Sequence, residues 1–148
     1  MEVRIEQATV DHVLKLVPRQ TDIDEVYAAC GLTANDALLS SINLDGEHFA
    51  GFVDDELVCI FGVGGLYGVG IPYMIGTDNL MRHRKSFLVY SRGFIDKMKR
   101  RYSYMTNFVD ARNVASIAWL KWLGFSIDYA VPFGFLGLPF HRFHMGEK

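Results

Sequence analysis

Residues 113–125 read Asn-Val-Ala-Ser-Ile-Ala-Trp-Leu-Lys-Trp-Leu-Gly-Phe, and no other stretch limits the fold so strongly. Asn113 carries a side-chain oxygen that can accept a bond from a free N–H of a first helical turn. Ile117, Leu120 and Leu123 recur at helical spacing and give one apolar face. Gly124 stands where a helix-ending residue takes the left-handed conformation, which glycine adopts at no steric cost. Phe125 can then fold back toward Leu120, and Ser126 opens an extended segment. The spacing thus predicts a short amphipathic helix, defined at both ends, that feeds a strand.

Alternation of apolar and polar residues predicts a strand over residues 3–8. Thr9 is placed to cap a helix that runs to about Val17 and ends at Pro18. Thr21 is placed to cap a second, with Asp22, Asp24 and Glu25 in its first turn where acids favour the dipole. Gly31 stops it, and Thr33 opens a third helix over residues 34–42. Strands follow at residues 47–53 and 57–63 around the turn Asp54-Asp55. The glycine-rich residues 62–70 read as a turn with bulges, and residues 73–77 as a further apolar strand. Phe87, Ser91, Phe94, Ile95, Met98 and Tyr102 mark a long amphipathic helix from about Ser86 to Arg101. A strand at 104–109, the helix described first, and a closing pair at 129–133 and 140–145 complete the order. Antiparallel hairpins combined with two crossover helices imply an α/β fold: a mixed sheet with helices on both faces.

Length and composition agree with this. The 148 residues suit one domain spanning 1–148, and half of them are hydrophobic, enough for a folded core. A formal charge of −2 argues against a dedicated nucleic-acid binder, which carries a basic surplus. Residues 60–75 are apolar but broken by glycines and Pro72, so no membrane span is expected. The N-terminus lacks the apolar core of a signal peptide, and Cys30 and Cys59 lie far apart in apolar surroundings. A reduced, cytoplasmic setting is the expectation.

The element order, together with Asn113, Ser116, Ile117, Leu123, Gly124 and Phe125, resembles the GNAT superfamily of acyl-CoA-dependent N-acetyltransferases. The family's late helix has an asparagine, a small residue three on, aliphatics and then Leu-Gly-Phe. The likeness in element order covers almost the whole chain. A narrower resemblance is to short GNAT-like proteins of podoviruses, some linked to virion assembly. It rests on chain length, on Thr77-Asp78, on Asp96-Lys97-Met98 and on residues 113–124 with leucine at Leu120. The resemblance implies acetyl-CoA as cofactor and an amine as acceptor. Backbone around Met74 and Ile75 would align the pantetheine arm, and Asn113 and Ser116 would shape the pocket. The pyrophosphate would meet Arg82, Arg84, Lys85, Ser86 and Phe87, where a helix start offers free N–H groups.

Two departures bear on the chemistry. Family members place glycines in the phosphate loop, where this chain has Lys85 and Phe87. Arg82, Arg84 and Lys85 can attract phosphates as charges, or form a solvated basic face. The glycines of 62–70 do not replace that loop, because a strand and not a helix follows them. Many members also carry a tyrosine seven residues after the asparagine to protonate the thiolate, and here Leu120 stands there. The strands between Cys59 and Thr77 hold no carboxylate, which leaves Asp78 and Tyr73 as the candidates for moving protons. Asp78 reads equally well as a cap or turn residue. An active acyltransferase and a catalytically inactive GNAT-like protein with a binding or virion-assembly role both fit.

His141 and His144 fall on opposite faces of a strand and make no metal pair. The tail over 131–140 is unusually apolar for a loop. Phe133, Phe135, Leu136 and Leu138 either fold back onto the core or offer a surface to a protein partner or a second copy of the chain.

Overall fold

The computed structural model describes residues 2–147. Strand β1 (Val3–Gln7) is followed by helices α1 (Val10–Lys15), α2 (Gln20–Cys30) and α3 (Ala34–Ile42), then by strands β2 (Gly46–Val53), β3 (Glu56–Leu66) and β4 (Val69–Gly76). Helices α4 (Asp78–Arg82) and α5 (Arg84–Arg101) lead to β5 (Tyr104–Asp110), α6 (Val114–Leu123), β6 (Ser126–Phe133) and β7 (Leu138–Gly146). The strands form one mixed sheet in the order β1-β2-β3-β4-β5-β7-β6. Apolar residues of α5 and α6 pack on one face with Phe61, Met105, Val109 and Phe143. Val13, Leu16, Ala34 and Leu38 of the α1–α3 segment pack on the other with Ala50, Ile60 and Ile75. The mixed α/β architecture read from the sequence is the one that forms.

Helix α6 has the ends its sequence specifies. The Asn113 side chain accepts from the Ser116 N–H, and Gly124 takes φ of 100°. The Phe125 N–H donates to Leu120 O and the Gly124 N–H to Lys121 O, the paired bonds that satisfy the last carbonyls. Ile117, Leu120 and Leu123 turn to the sheet.

Several boundaries differ from expectation for physical reasons. Helix α2 begins at Gln20 with Arg19 as its cap, not at Thr21. The Arg19 N–H is bound to Gly76 O at 2.8 Å, so a tertiary contact sets the start. Residues 62–70 form no bulged turn. Strands β3 and β4 pair without interruption from Cys59↔Gly76 to Leu66↔Val69. The turn is only Tyr67-Gly68, with φ of 51° and 80°, a two-residue hairpin of the primed type. The remaining glycines serve close packing: a Cβ on Gly62 would meet Glu47 O, and one on Gly65 would meet the Tyr102 hydroxyl. Between β4 and α5 lies a helix the sequence reading lacked. Thr77 caps α4 through the Leu80 N–H, so Thr77 and not Asp78 is the capping residue.

The tail folds back. The Phe135 and Leu136 N–H groups donate to Ala29 O and Ala28 O, both at 3.1 Å, and so satisfy carbonyls at the open end of α2. Phe133 stacks on Phe108 with centroids 3.8 Å apart, and Leu138 is half-buried. Phe135 and Leu136 keep 62% and 49% of their surface exposed, so the hairpin closes over α2 and still shows solvent an apolar edge.

Candidate functional site

The site follows from one weak seam in the sheet. β4 and β5 are parallel and share a single register pair, Gly70↔Met105. Pro72 has no N–H to extend that ladder. Asn107 instead reaches across and donates from Nδ2 to Pro72 O at 2.8 Å. β5 then follows β7 over its whole length, from Tyr104↔Gly146 to Asp110↔Phe140. The two strands diverge, and backbone direction alternates along β4. Pro72, Met74 and Gly76 therefore face the opening, while Tyr73 and Ile75 direct their backbone groups to β3. Gly76 is engaged, with its N–H on Asp22 Oδ2 and its carbonyl on the Arg19 N–H. Met74 is left with an N–H and a carbonyl aimed into the splay.

A cavity of about 250 Å³ fills the splay. It is bounded by α2 and α3 on one face of the sheet and by α5 and α6 on the other, and most of its lining is apolar. Glu25 is the one carboxylate among the residues that line it. Its Oε1 accepts from the Asp110 N–H at 2.8 Å and from Asn113 Nδ2 at 3.3 Å. Burial raises its pKa to about 7; these two hydrogen bonds oppose the rise and the nearby Asp22 charge adds to it. A carboxyl that titrates near neutrality is matched to accepting a proton from a reacting group.

Glu25 belongs to a buried polar network centred on Asn113, which is 1% exposed. Asn113 Oδ1 accepts from Arg19 Nη2 at 2.9 Å, and its Nδ2 also reaches Asp22 Oδ1 at 3.4 Å. Arg19 pairs with Asp22 at 2.9 Å and donates to Ser116 Oγ at 3.3 Å. Burial raises the Asp22 pKa, against the lowering effect of the Gly76 N–H and the Arg19 charge. The network joins the first turns of α2 and α6 to the end of β4, and so holds the splay open at fixed width.

Tyr73 lines the same cavity. Its hydroxyl lies 2.6 Å from His48 Nδ1, and His48 Nε2 lies 2.8 Å from Leu44 O. A carbonyl can only accept, so Nε2 carries the hydrogen and Tyr73 donates to Nδ1. Burial pushes the Tyr73 phenol up, away from ionisation.

The structure sorts the other sequence candidates. Met74, Ile75 and Ser116 line the cavity; Asn113 stands behind it as the hub of the network. Ile75 offers a side chain there but turns its backbone to β3. Asp78 is exposed in the first turn of α4, away from the cavity lining. Arg82 ends α4, and Arg84, Lys85 and Ser86 form the first turn of α5, with Arg82, Arg84 and Lys85 exposed. The N–H groups of Arg84, Lys85 and Ser86 fall in the turn that has no intrahelical partners. Phe87 is 2% exposed, and its N–H is bound to His83 O at 3.2 Å. Its ring packs against Gly51, so its side chain belongs to the core. Beside the cavity, among the end of β4, α4 and α6, lies a second hollow of about 10 Å³, bordered by Met74, Gly76, Leu80, Met81, Ser116 and Trp119.

Sequence reasoning missed Arg19, Asp22 and Glu25. It took the acids for dipole partners at a helix start. Yet Glu25 shares one helical face with Val26, Ala29 and Cys30, and a carboxylate inside an apolar stripe signals a buried role.

No family model matches this sequence, and no curated protein matches it. Solved structures do. The protein smu.2055 from Streptococcus mutans UA159 superposes with a TM-score of 0.71 at 13% identity, over 99% of each chain. The ribosomal-protein-alanine N-acetyltransferase from Brucella melitensis gives 0.68 at 15% identity, over 97% of this chain and 99% of that one. An acetyltransferase from Bacillus subtilis, solved in complex with CoA, gives 0.64 at 13% identity, over 99% of this chain and 100% of that one. With its mixed sheet, its splayed β4 and β5 and these likenesses, the chain has the fold of the GNAT acetyltransferase superfamily.

Proposed function

We propose that the chain is an acyl-CoA-dependent amine acyltransferase with Glu25 as its general base. The observation that carries this reading is the Glu25 carboxyl, with its pKa near 7, on the wall of the cavity between β4 and β5. The exposed N–H and carbonyl of Met74 are placed as a strand edge is placed for an amide-bearing arm. The first-turn N–H groups of α5, with Arg82, Arg84 and Lys85, offer positive potential to phosphates. Bound acetyl-CoA would supply the activated acyl group. Glu25 receives the proton that the acceptor nitrogen loses as the new amide bond forms. Leu120 gives no proton to the departing thiolate, which takes its proton from water. The reaction belongs in the host cytoplasm if the chain is phage-encoded, as its narrower resemblance implies.

The test is a titration followed by an assay. Acetyl-CoA should bind one per chain and raise the melting temperature, since a ligand stabilises the state it binds. Glu25→Gln should keep that binding and lose acyl transfer to amines by at least about a hundredfold, the scale of a general base. Absence of binding at millimolar acetyl-CoA would end the proposal.

One observation favours a second reading, an inactive GNAT-fold protein with a binding or virion-assembly role. Phe87 is committed to the core where the family has glycine, and the hollow beside the cavity at the end of β4 and α4 is only about 10 Å³. On that reading acetyl-CoA does not bind, and the exposed edge at Phe135 and Leu136 carries the function. Sizing of the chain alone, with its loss of self-association in Phe135→Ser, distinguishes it.

A further inference from the structure

The acceptor end of the cavity has a definite chemistry. On the α2–α3 face its walls are Val26, Ala29, Leu38, Phe108 and Phe140, with Glu25 the one acid among the lining residues. The other carboxylates nearby are spent: Asp22 on Arg19 and the Gly76 N–H, and Asp110 on the Arg112 guanidinium at 2.7 Å. The β6–β7 hairpin borders this end through Phe140. Its backbone is fastened to Ala28 O and Ala29 O, and Phe133 lies stacked on Phe108.

We propose that the acceptor is a small monoamine with an apolar, ring-sized body, placed with its nitrogen at Glu25 and its body against Val26, Leu38 and Phe108. This rests on the acyltransferase reading above. A polyamine carries several positive charges, and each would need a carboxylate or water along its length. This wall has one carboxylate; beyond it stand apolar side chains with the uncharged Ser41 and Tyr73, so the further charges would be stripped of water without a counter-charge. A protein N-terminus brings the peptide groups of the chain that follows it, and apolar walls would leave those groups without hydrogen-bond partners. Size agrees. An apolar cavity of about 150 Å³ takes benzene. The 250 Å³ here has room for one such ring beside the end of an acyl arm.

The experiment uses the full chain with acetyl-CoA and follows thiol release with 2-phenylethylamine, spermidine or an alanine-first peptide. The expected result is a kcat/KM for 2-phenylethylamine at least tenfold above both others. Ala37→Leu, which adds bulk to the α3 wall, should raise KM for 2-phenylethylamine at least fivefold and leave acetyl-CoA affinity within twofold. Equal or faster turnover of spermidine or the peptide overturns the inference while the acyltransferase reading stands. An unchanged KM in folded Ala37→Leu also overturns it. If acetyl-CoA fails to bind, or binds and acylates none of the three, the inference falls, and in the first case the acyltransferase reading falls with it.

Discussion

Replacing Asn113 by alanine tests whether the buried network, and not the helix cap alone, fixes the site. The cap bond to Ser116 N–H is 3.4 Å, and its loss costs about 1 kcal/mol. The Arg19 guanidinium would lose an acceptor at 2.9 Å, and a bond to a charged group contributes about 1.5 kcal/mol or more. The contacts to Asp22 and Glu25 are long, 3.4 and 3.3 Å, and count for about 0.5 kcal/mol each. The total is about 3.5 kcal/mol, which for a chain of this size lowers the melting temperature by about 7–14 °C. Asn113→Ser restores a capping oxygen but cannot reach both Arg19 and Glu25, so it should recover only about 1 kcal/mol. Urea unfolding followed by the fluorescence of Trp119 and Trp122, both on α6, reads these values directly. If alanine costs about 1 kcal/mol and serine nothing, the cap is the whole effect and the network does not hold the splay.

Glu25 has a folded pKa of about 7 against an ordinary value of 4.5, so the native state keeps its proton between those values. Its contribution to stability is full below the lower value and is lost as pH rises through the higher one, by about 3 kcal/mol. Asp22 acts in the same direction. Glu25→Gln should therefore flatten the fall in stability between pH 4.5 and 7; unchanged slopes in urea unfolding would contradict the burial. Gly134 has φ of 76° and a Cβ there would stand 2.7 Å from Ala29 O, whereas Gly137 has φ of 67° and open space. Gly134→Ala should thus cost at least about 1 kcal/mol more than Gly137→Ala, and equal costs would mean that the hairpin is not fastened to α2. Lys85→Glu, exposed in the first turn of α5, should weaken acetyl-CoA binding about tenfold at low salt and less at high salt. Unchanged affinity would remove that helix start from the phosphate site.

What the sequence disclosed depended on how local the cause was. Asn113, Gly124 and Phe125 define α6 through bonds within a few residues of each other, and the helix formed as read. The mixed sheet was also legible, because alternation and turn residues are local signals. The start of α2 was not, since Arg19 is held by Gly76, far along the chain. Helix α4 was missed because its five residues are too few to show a helical period. The glycines of residues 62–70 suggested irregular backbone, but they are there for neighbours that only the folded sheet brings near, Glu47 and Tyr102. Tyr73 was named from sequence and does line the cavity, whereas its partner His48 became visible only through strand pairing. Glu25 was masked by a sufficient local explanation for acids at a helix start.

The central claim is that acetyl-CoA lies in the splay along Met74 with its phosphates at the start of α5. Hydrogen exchange with and without saturating acetyl-CoA tests it most directly. Met74 has an N–H aimed into the opening, and the N–H groups of Arg84, Lys85 and Ser86 head a helix. These four amides should exchange fast in the free chain and show the largest slowing on addition of acetyl-CoA. Unchanged exchange at Met74 and at residues 84–86, with ligand at millimolar concentration, would contradict it.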